Sequence, residues 1–385
     1  MKRSTDRILT THVGSIPRPP ALMEAMRTGA TEGAAFEKLL RQSVADVVKK
    51  QVDLGIDVVD DGEYGKPGFR IYADQRLGGY EAVQKPRVSV WSGSREALAF
   101  PEFYAPEGTA QSGAVDALYA EMTCTGPVVY KGQALLKRDL DNLKAAADAA
   151  GATEVFVPSI SPADIAGAQK NAYYKTEEEF LFAVAEAMRT EYRAIVDAGF
   201  VLQIDDPHLT SYYLKHPEIS LADCQKWAMR QVEAINHALE GIPQDKVRYH
   251  TCYGINMGPR VHEMDLGDIL DIVLRINAGA YSFEAANPRH EHEWTLWRDA
   301  KLADGKSIIP GVITHSSVVV EHPELVAQRI VRFAEIVGRE NVIAGGDCGF
   351  GTQASSTPEV HPTVVWAKFE AMVKGAEIAT KRLWG

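Results

Sequence analysis

From Asp139 onward the sequence alternates helix-patterned and strand-patterned stretches, and this alternation limits the fold more than any single motif. Helical spacing of apolar residues predicts helices over Asp139–Ala150, Thr176–Ala198, Ala222–Leu239, Leu266–Ile276, a stretch near Glu293–Ala303, Pro323–Val337 and Thr363–Arg382. Between them lie short apolar, β-branched runs: Glu154–Pro158, Phe200–Asp205, a run from Val247, Ala280–Glu284, Ser307–Ile313 and a run from Ile343. Two further strands, Thr10–Ser15 and Ile56–Asp61, flank a helix from about Ala34 to Leu54, with Gly55 as its cap residue. Eight strand–helix units in one chain predict a closed parallel (β/α)8 TIM barrel. A doubly wound open sheet would carry a glycine-rich phosphate turn after its first strand. Gly14-Ser15-Ile16-Pro17 is not such a turn.

The interval from Lys66 to about Thr123 breaks the alternation with prolines, glycines and aromatics, including Trp91-Ser92-Gly93-Ser94. It is too long for plain loop, so some strand or helix is expected inside it, with Gly126–Tyr130 pairing there. The reading is a single barrel domain over residues 1–385 with an excursion at about 66–135 after the second strand.

Acidic and basic residues are interspersed and the net charge is −11, which argues against nucleic acid or an anionic membrane as partner. No apolar run approaches the roughly 20 residues of a membrane helix, and the N-terminus carries no apolar signal core. Four cysteines (Cys124, Cys224, Cys252 and Cys348) do not make a secreted disulfide framework, so a cytoplasmic protein with reduced thiols is expected. A homo-oligomer is compatible with this composition.

The polar residues that stand out all fall at or just past strand C-termini, the face on which such barrels do their chemistry: Ser15, Glu63, Asp205, His250, Cys252, Glu284 and Cys348. His250 and Cys252, two apart on a strand, point to one face. With Cys348 and Glu284 from two other strands they make an imidazole, two thiols and a carboxylate, which suit a tetrahedral Zn²⁺ site. Two cysteinates and a carboxylate leave zinc electron-rich. Such a centre is a poor Lewis acid but keeps a bound thiolate nucleophilic, which points to alkyl transfer onto sulfur rather than hydrolysis. Cys124 and Cys224 are assigned no role.

His250-Thr251-Cys252, Glu284 and Asp347-Cys348-Gly349 resemble the zinc motif of the cobalamin-independent methionine synthase family, in its C-terminal catalytic barrel. The likeness extends to Val13–Arg18, to Asp61-Gly62-Glu63, to Gln203–Pro207 and to Gly311-Val312-Ile313 with His315, and so covers nearly the whole chain in order. It implies His250, Cys252, Glu284 and Cys348 as zinc ligands, with Glu284 the most readily displaced. It implies Ser15, Glu63 and Asp205 as the residues holding the amino acid part of homocysteine, and His315 as proton donor. His315 lies one residue nearer Gly311 than the family pattern, so a loop histidine is the competing reading. The long-form family carries an additional N-terminal barrel that helps bind folate. Short single-barrel relatives include zinc enzymes that join coenzyme M to epoxides.

The partners expected are thus a small-molecule thiol and an alkyl donor. Methyl transfer to homocysteine is the first reading and epoxide–coenzyme M alkylation the second. A barrel that binds a small molecule around a structural metal, without turnover, is a third from another class. A metal-free decarboxylase-like barrel would call for clustered arginines at the strand ends. Arg18 and Arg260 are read as anion-binding or surface residues, and His290 and His292 as solvated loop residues.

Overall fold

The computed structural model describes residues 1–83, 91–105, 121–255, 257–351, 353–354 and 358–385. Eight parallel strands form the barrel: β1 Leu9–Thr10, β2 Val58–Val59, β3 Glu154–Ile160, β4 Val201–Asp205, β5 Val247–Thr251, β6 Ala280–Phe283, β7 Ser307–Ile313 and β8 Ile343–Gly346. Each pairs with its neighbour in chain order, and β8 pairs with β1. The Thr11–Val58 bridge joins β1 to β2 and closes the ring.

The first two strands are shorter than their sequence suggests. Thr10–Ser15 keeps strand geometry only to Thr11, because Gly14 turns the chain (φ 137°) and Pro17, Pro19 and Pro20 follow. Val13, Gly14 and Ser15 are thereby delivered to the barrel rim. Ile56–Asp61 contracts to Val58–Val59, and its end turns through Gly62 and Glu63, both at positive φ. Glu63 is a non-glycine residue in the left-handed region (φ 60°), held there by its own N–H donating to Asp61 Oδ1 at 2.8 Å.

Helices Gly33–Leu54, Gln133–Ala150, Glu177–Asp197, Leu221–Ala238, Pro323–Val337 and Pro362–Trp384 ring the barrel. Glu177–Asp197 is capped at its N-terminus: Thr176 Oγ1 accepts Glu179 N–H at 3.1 Å, and Glu179 accepts the N–H of Lys175, the residue before the cap, at 3.0 Å. The apolar faces of these helices meet the outer faces of the strands in one large core. Phe180, Met188, Ile195, Ile235, Ile330, Phe369 and Met372 are all within 1% of complete burial. Two units are reduced. The helix expected over Leu266–Ile276 is a 3₁₀ turn, Leu266–Asp268, and a single α-turn, Leu270–Val273. The one expected near Glu293–Ala303 is a 3₁₀ stretch, Glu291–Arg298, whose neighbouring His290 is claimed by side-chain bonds.

Within the excursion, strand Leu77–Val83 runs antiparallel to Glu121–Tyr130, which meets Lys170–Asn171 in parallel. Arg76 ties this small sheet to the barrel. Its guanidinium reaches Asp139 at 2.6 Å and Glu191 at 3.1 Å, and Glu191 also accepts from Tyr130 and Ser159. Replacing Arg76 with methionine leaves the buried Glu191 carboxylate without its cation, while Asp139 keeps Arg138 at 2.8 Å, so urea unfolding should show a loss of about 3–5 kcal/mol. A loss under about 1 kcal/mol would mean that the network is not holding the excursion in place.

Candidate metal centre

Strand register builds the site. Asp205 on β4, His250 on β5 and Ser282 on β6 are aligned partners in adjacent strands, so they form one row across the C-terminal rim. Ser282 Oγ lies 3.0 Å from His250 Nδ1 and fixes the ring. His250 Nε2 is buried without a partner, and burial lowers the imidazole pKa to about 3. A neutral, oriented ring with a bare nitrogen is the form that ligates a metal.

Cys252, just past β5, and Cys348, just past β8, bring their sulfurs to 3.3 Å from each other. The ligand atoms of His250, Cys252 and Cys348 all lie within 4.8 Å of one another, and all three residues are buried. The contact with Cys348, together with burial, pushes the Cys252 thiol well above the ordinary cysteine range. Two thiols so close cannot both ionise without a cation, and a thiophilic divalent ion supplies it. The donor set therefore fits Zn²⁺. Cys124 and Cys224 are buried free thiols outside this group.

Glu284 follows β6 and stands in a neighbouring cluster with His315 and Asp347, whose ligand atoms also lie within 4.8 Å of one another. The structure thus joins three of the four expected ligands and sets the fourth beside them. Asp347 links two rim loops, since its Oδ1 accepts the N–H groups of Ala285 and Ala286 at 2.7 and 2.8 Å. His315 is not a loop-surface histidine but is buried at 1% exposure, and burial and Arg260 lower its pKa to about 4.

Ser15, Glu63 and Asp205 are all buried at the rim. Ser15 Oγ accepts Gly351 N–H at 3.3 Å. A Cβ at Gly14 would stand 3.3 Å from Asp60 Oδ2 and 3.4 Å from Glu63 Oε1, so both carboxylates face the same backbone spot. Asp60 Oδ2 has no hydrogen-bond partner. Asp205 is held well above the usual carboxylate range by burial and by the nearby Glu63 charge. Lys66, unremarked in the sequence, enters this acidic group: Nζ lies 3.4 Å from Glu63 Oε1 and donates to Pro158 O at 2.7 Å.

Neither arginine is a surface residue. Arg18 is spent on the carbonyls of Gly351, Glu63 and Lys66, and Arg260 on Glu263 and Glu284. His290 is also no solvated histidine, for it is fully buried between Glu263 and Glu293, while His292 is exposed. Ser282, Asp60, Lys66 and Asn287 were missed. Only Ser282 had a usable signal, its register opposite His250.

Fold and site together define a parallel barrel with two cysteines and a histidine converging at its C-terminal rim, a donor set that fits a metal ion. Residues 166–377 match the family described as the cobalamin-independent synthase catalytic domain, and the chain belongs to that family. Methionine synthases of Saccharolobus solfataricus and Thermococcus kodakarensis are each 25% identical to it, over 391 and 381 residues, covering 97% of this chain and 95% and 94% of theirs. A B12-independent methionine synthase from Shewanella sp. W3-18-1, solved in complex with selenomethionine, has the same fold with a TM-score of 0.75 at 19% identity, covering 98% of this chain and 99% of that one. Among the described residues no helix is long and apolar enough to cross a membrane.

Proposed function

We propose that the chain is a zinc-dependent methyltransferase that moves a methyl group onto the thiol of homocysteine. The observation that carries this reading is the buried triad: two sulfurs 3.3 Å apart and a His250 whose Nε2 is bare, with a ligand atom of each residue within 4.8 Å of the others. Membership of the family and the names of the curated relatives support methyl transfer as the chemistry. His250, Cys252 and Cys348 would hold the zinc, with Glu284 as the exchangeable fourth ligand. When bound, zinc keeps the acceptor's sulfur as a thiolate at neutral pH.

Around that centre the protein supplies position and charge. Glu63 and Asp205, with Asp60 behind them, take the acceptor's ammonium, and the Ser15 hydroxyl takes its carboxylate. His315 holds the proton for the donor's leaving group. Burial and Arg260 lower its pKa to about 4 in the free protein, so the ring takes that proton up from solvent as negative charge develops on the departing atom beside it, and passes it on. Closeness and alignment of sulfur and methyl carbon contribute much of the remaining acceleration.

One observation favours a second reading, alkylation of coenzyme M. Lys66 already neutralises part of the acidic cradle, which suits an acceptor without an ammonium. The test is turnover of zinc-loaded protein with homocysteine or coenzyme M against a methylfolate, a methylcorrinoid and an epoxide. The proposal expects methionine, lost on chelation and restored by zinc. S-alkylated coenzyme M alone would select the second reading, and no product from zinc-loaded protein would leave a barrel whose metal is structural.

A further inference from the structure

Glu284 is fully engaged away from the triad. Its Oε1 accepts Tyr253 N–H at 2.9 Å, while Oε2 accepts from Arg260 Nη2 at 2.7 Å and Asn287 Nδ2 at 2.8 Å. Arg260 is itself locked. Its Nε lies 2.8 and 2.9 Å from the two Glu263 oxygens, and Nη1 donates to Ser316 Oγ at 2.8 Å. Behind Glu263 stands His290, whose Nε2 is 3.0 Å from it and whose ring stacks on Tyr253 with centroids 4.2 Å apart. Arg260 also sits in the left-handed backbone region, φ 61°. A side chain persists there only where its surroundings over-determine it.

A carboxylate leaving a metal inside a dry pocket is destabilised unless another cation receives it. Here that cation and two N–H donors are already in place. We propose that Arg260, with Asn287 and the Tyr253 N–H, forms a cradle that stores the Glu284 carboxylate beside the His250–Cys252–Cys348 triad, leaving that position to the acceptor's sulfur. Arg260 is a positioning residue, acting on the acceptor through Glu284. The inference rests on the zinc reading of the triad.

The test counts sulfur around zinc by edge spectroscopy in zinc-loaded wild-type, R260M, R260K and N287A proteins, titrated with homocysteine or coenzyme M, whichever adds a sulfur to wild type. R260M should keep its zinc but need at least about tenfold more thiol to gain that sulfur, given the strength of a charge-assisted bond. R260K should recover part of the difference, and N287A should show a smaller shift. A zinc-loaded R260M that gains sulfur at wild-type thiol concentrations overturns the cradle. If R260M does not fold, R260K and N287A decide, and wild-type behaviour in both overturns it. A wild-type protein that takes up no zinc overturns the proposed function itself.

Discussion

Cys348→Ser protein is expected to purify with little zinc and to turn over about a thousandfold or more slowly than wild type, the loss of roughly 4 kcal/mol of transition-state stabilisation. A serine hydroxyl fits the volume but does not ionise at neutral pH, so the pair of sulfurs 3.3 Å apart becomes one. The fold should survive, since Cys348 lies past the end of β8 rather than in the helix-packed core. Metal content by emission spectrometry and methionine formation at saturating homocysteine check the two halves together. Full zinc occupancy with activity within about tenfold of wild type would show that Cys348 is not a ligand that the reaction needs.

The second large effect concerns the acceptor's ammonium. Asp205→Asn and Glu63→Gln should each raise KM for homocysteine by about a hundredfold while changing kcat much less, as expected when a buried charge pair loses one member. Burial and Glu63 hold Asp205 well above the usual carboxylate range in the free protein. An incoming ammonium pulls that pKa back down, so binding should release a proton. Calorimetry in buffers of different ionisation enthalpy should detect the release in wild type and its absence in Asp205→Asn. The linkage sign also gives a folding control. A carboxyl whose pKa is raised in the folded state contributes stability below its unfolded value, and that stability is lost as pH rises through the folded value. Asparagine cannot ionise, so this variant should be no less stable than wild type at alkaline pH. An unchanged KM, or binding without proton release in wild type, would remove the acidic cradle from the mechanism.

The parts of this molecule that followed from sequence are those set by local periodicity and by strand position. Helices such as Glu177–Asp197 and Pro323–Val337 were legible from apolar spacing, and the barrel from their alternation with short strands. His250, Cys252 and Cys348 were legible because each lies at or just past a strand C-terminus, and the closed ring brings those ends together. The shortened helices after β5 and β6 were not. There, tertiary bonds from Glu263, Glu293 and His290 override the helical pattern. Arg260, read as anion-binding or surface, and His290, read as solvated, each have one carboxylate three residues on (Glu263 and Glu293), but each is also held by a second from another loop (Glu284 and Glu263), which spacing along the chain does not encode. Lys66 was hidden in the same way, its ammonium lying at the carbonyl of Pro158 on β3.

The most direct measurement is the zinc K-edge spectrum of the wild-type protein carrying one equivalent of zinc, with and without homocysteine. The account predicts a shell of the two sulfurs of Cys252 and Cys348 with nitrogen or oxygen from His250 and Glu284, and one further sulfur when homocysteine is present. A shell without protein sulfur, or one that no thiol changes, would contradict it.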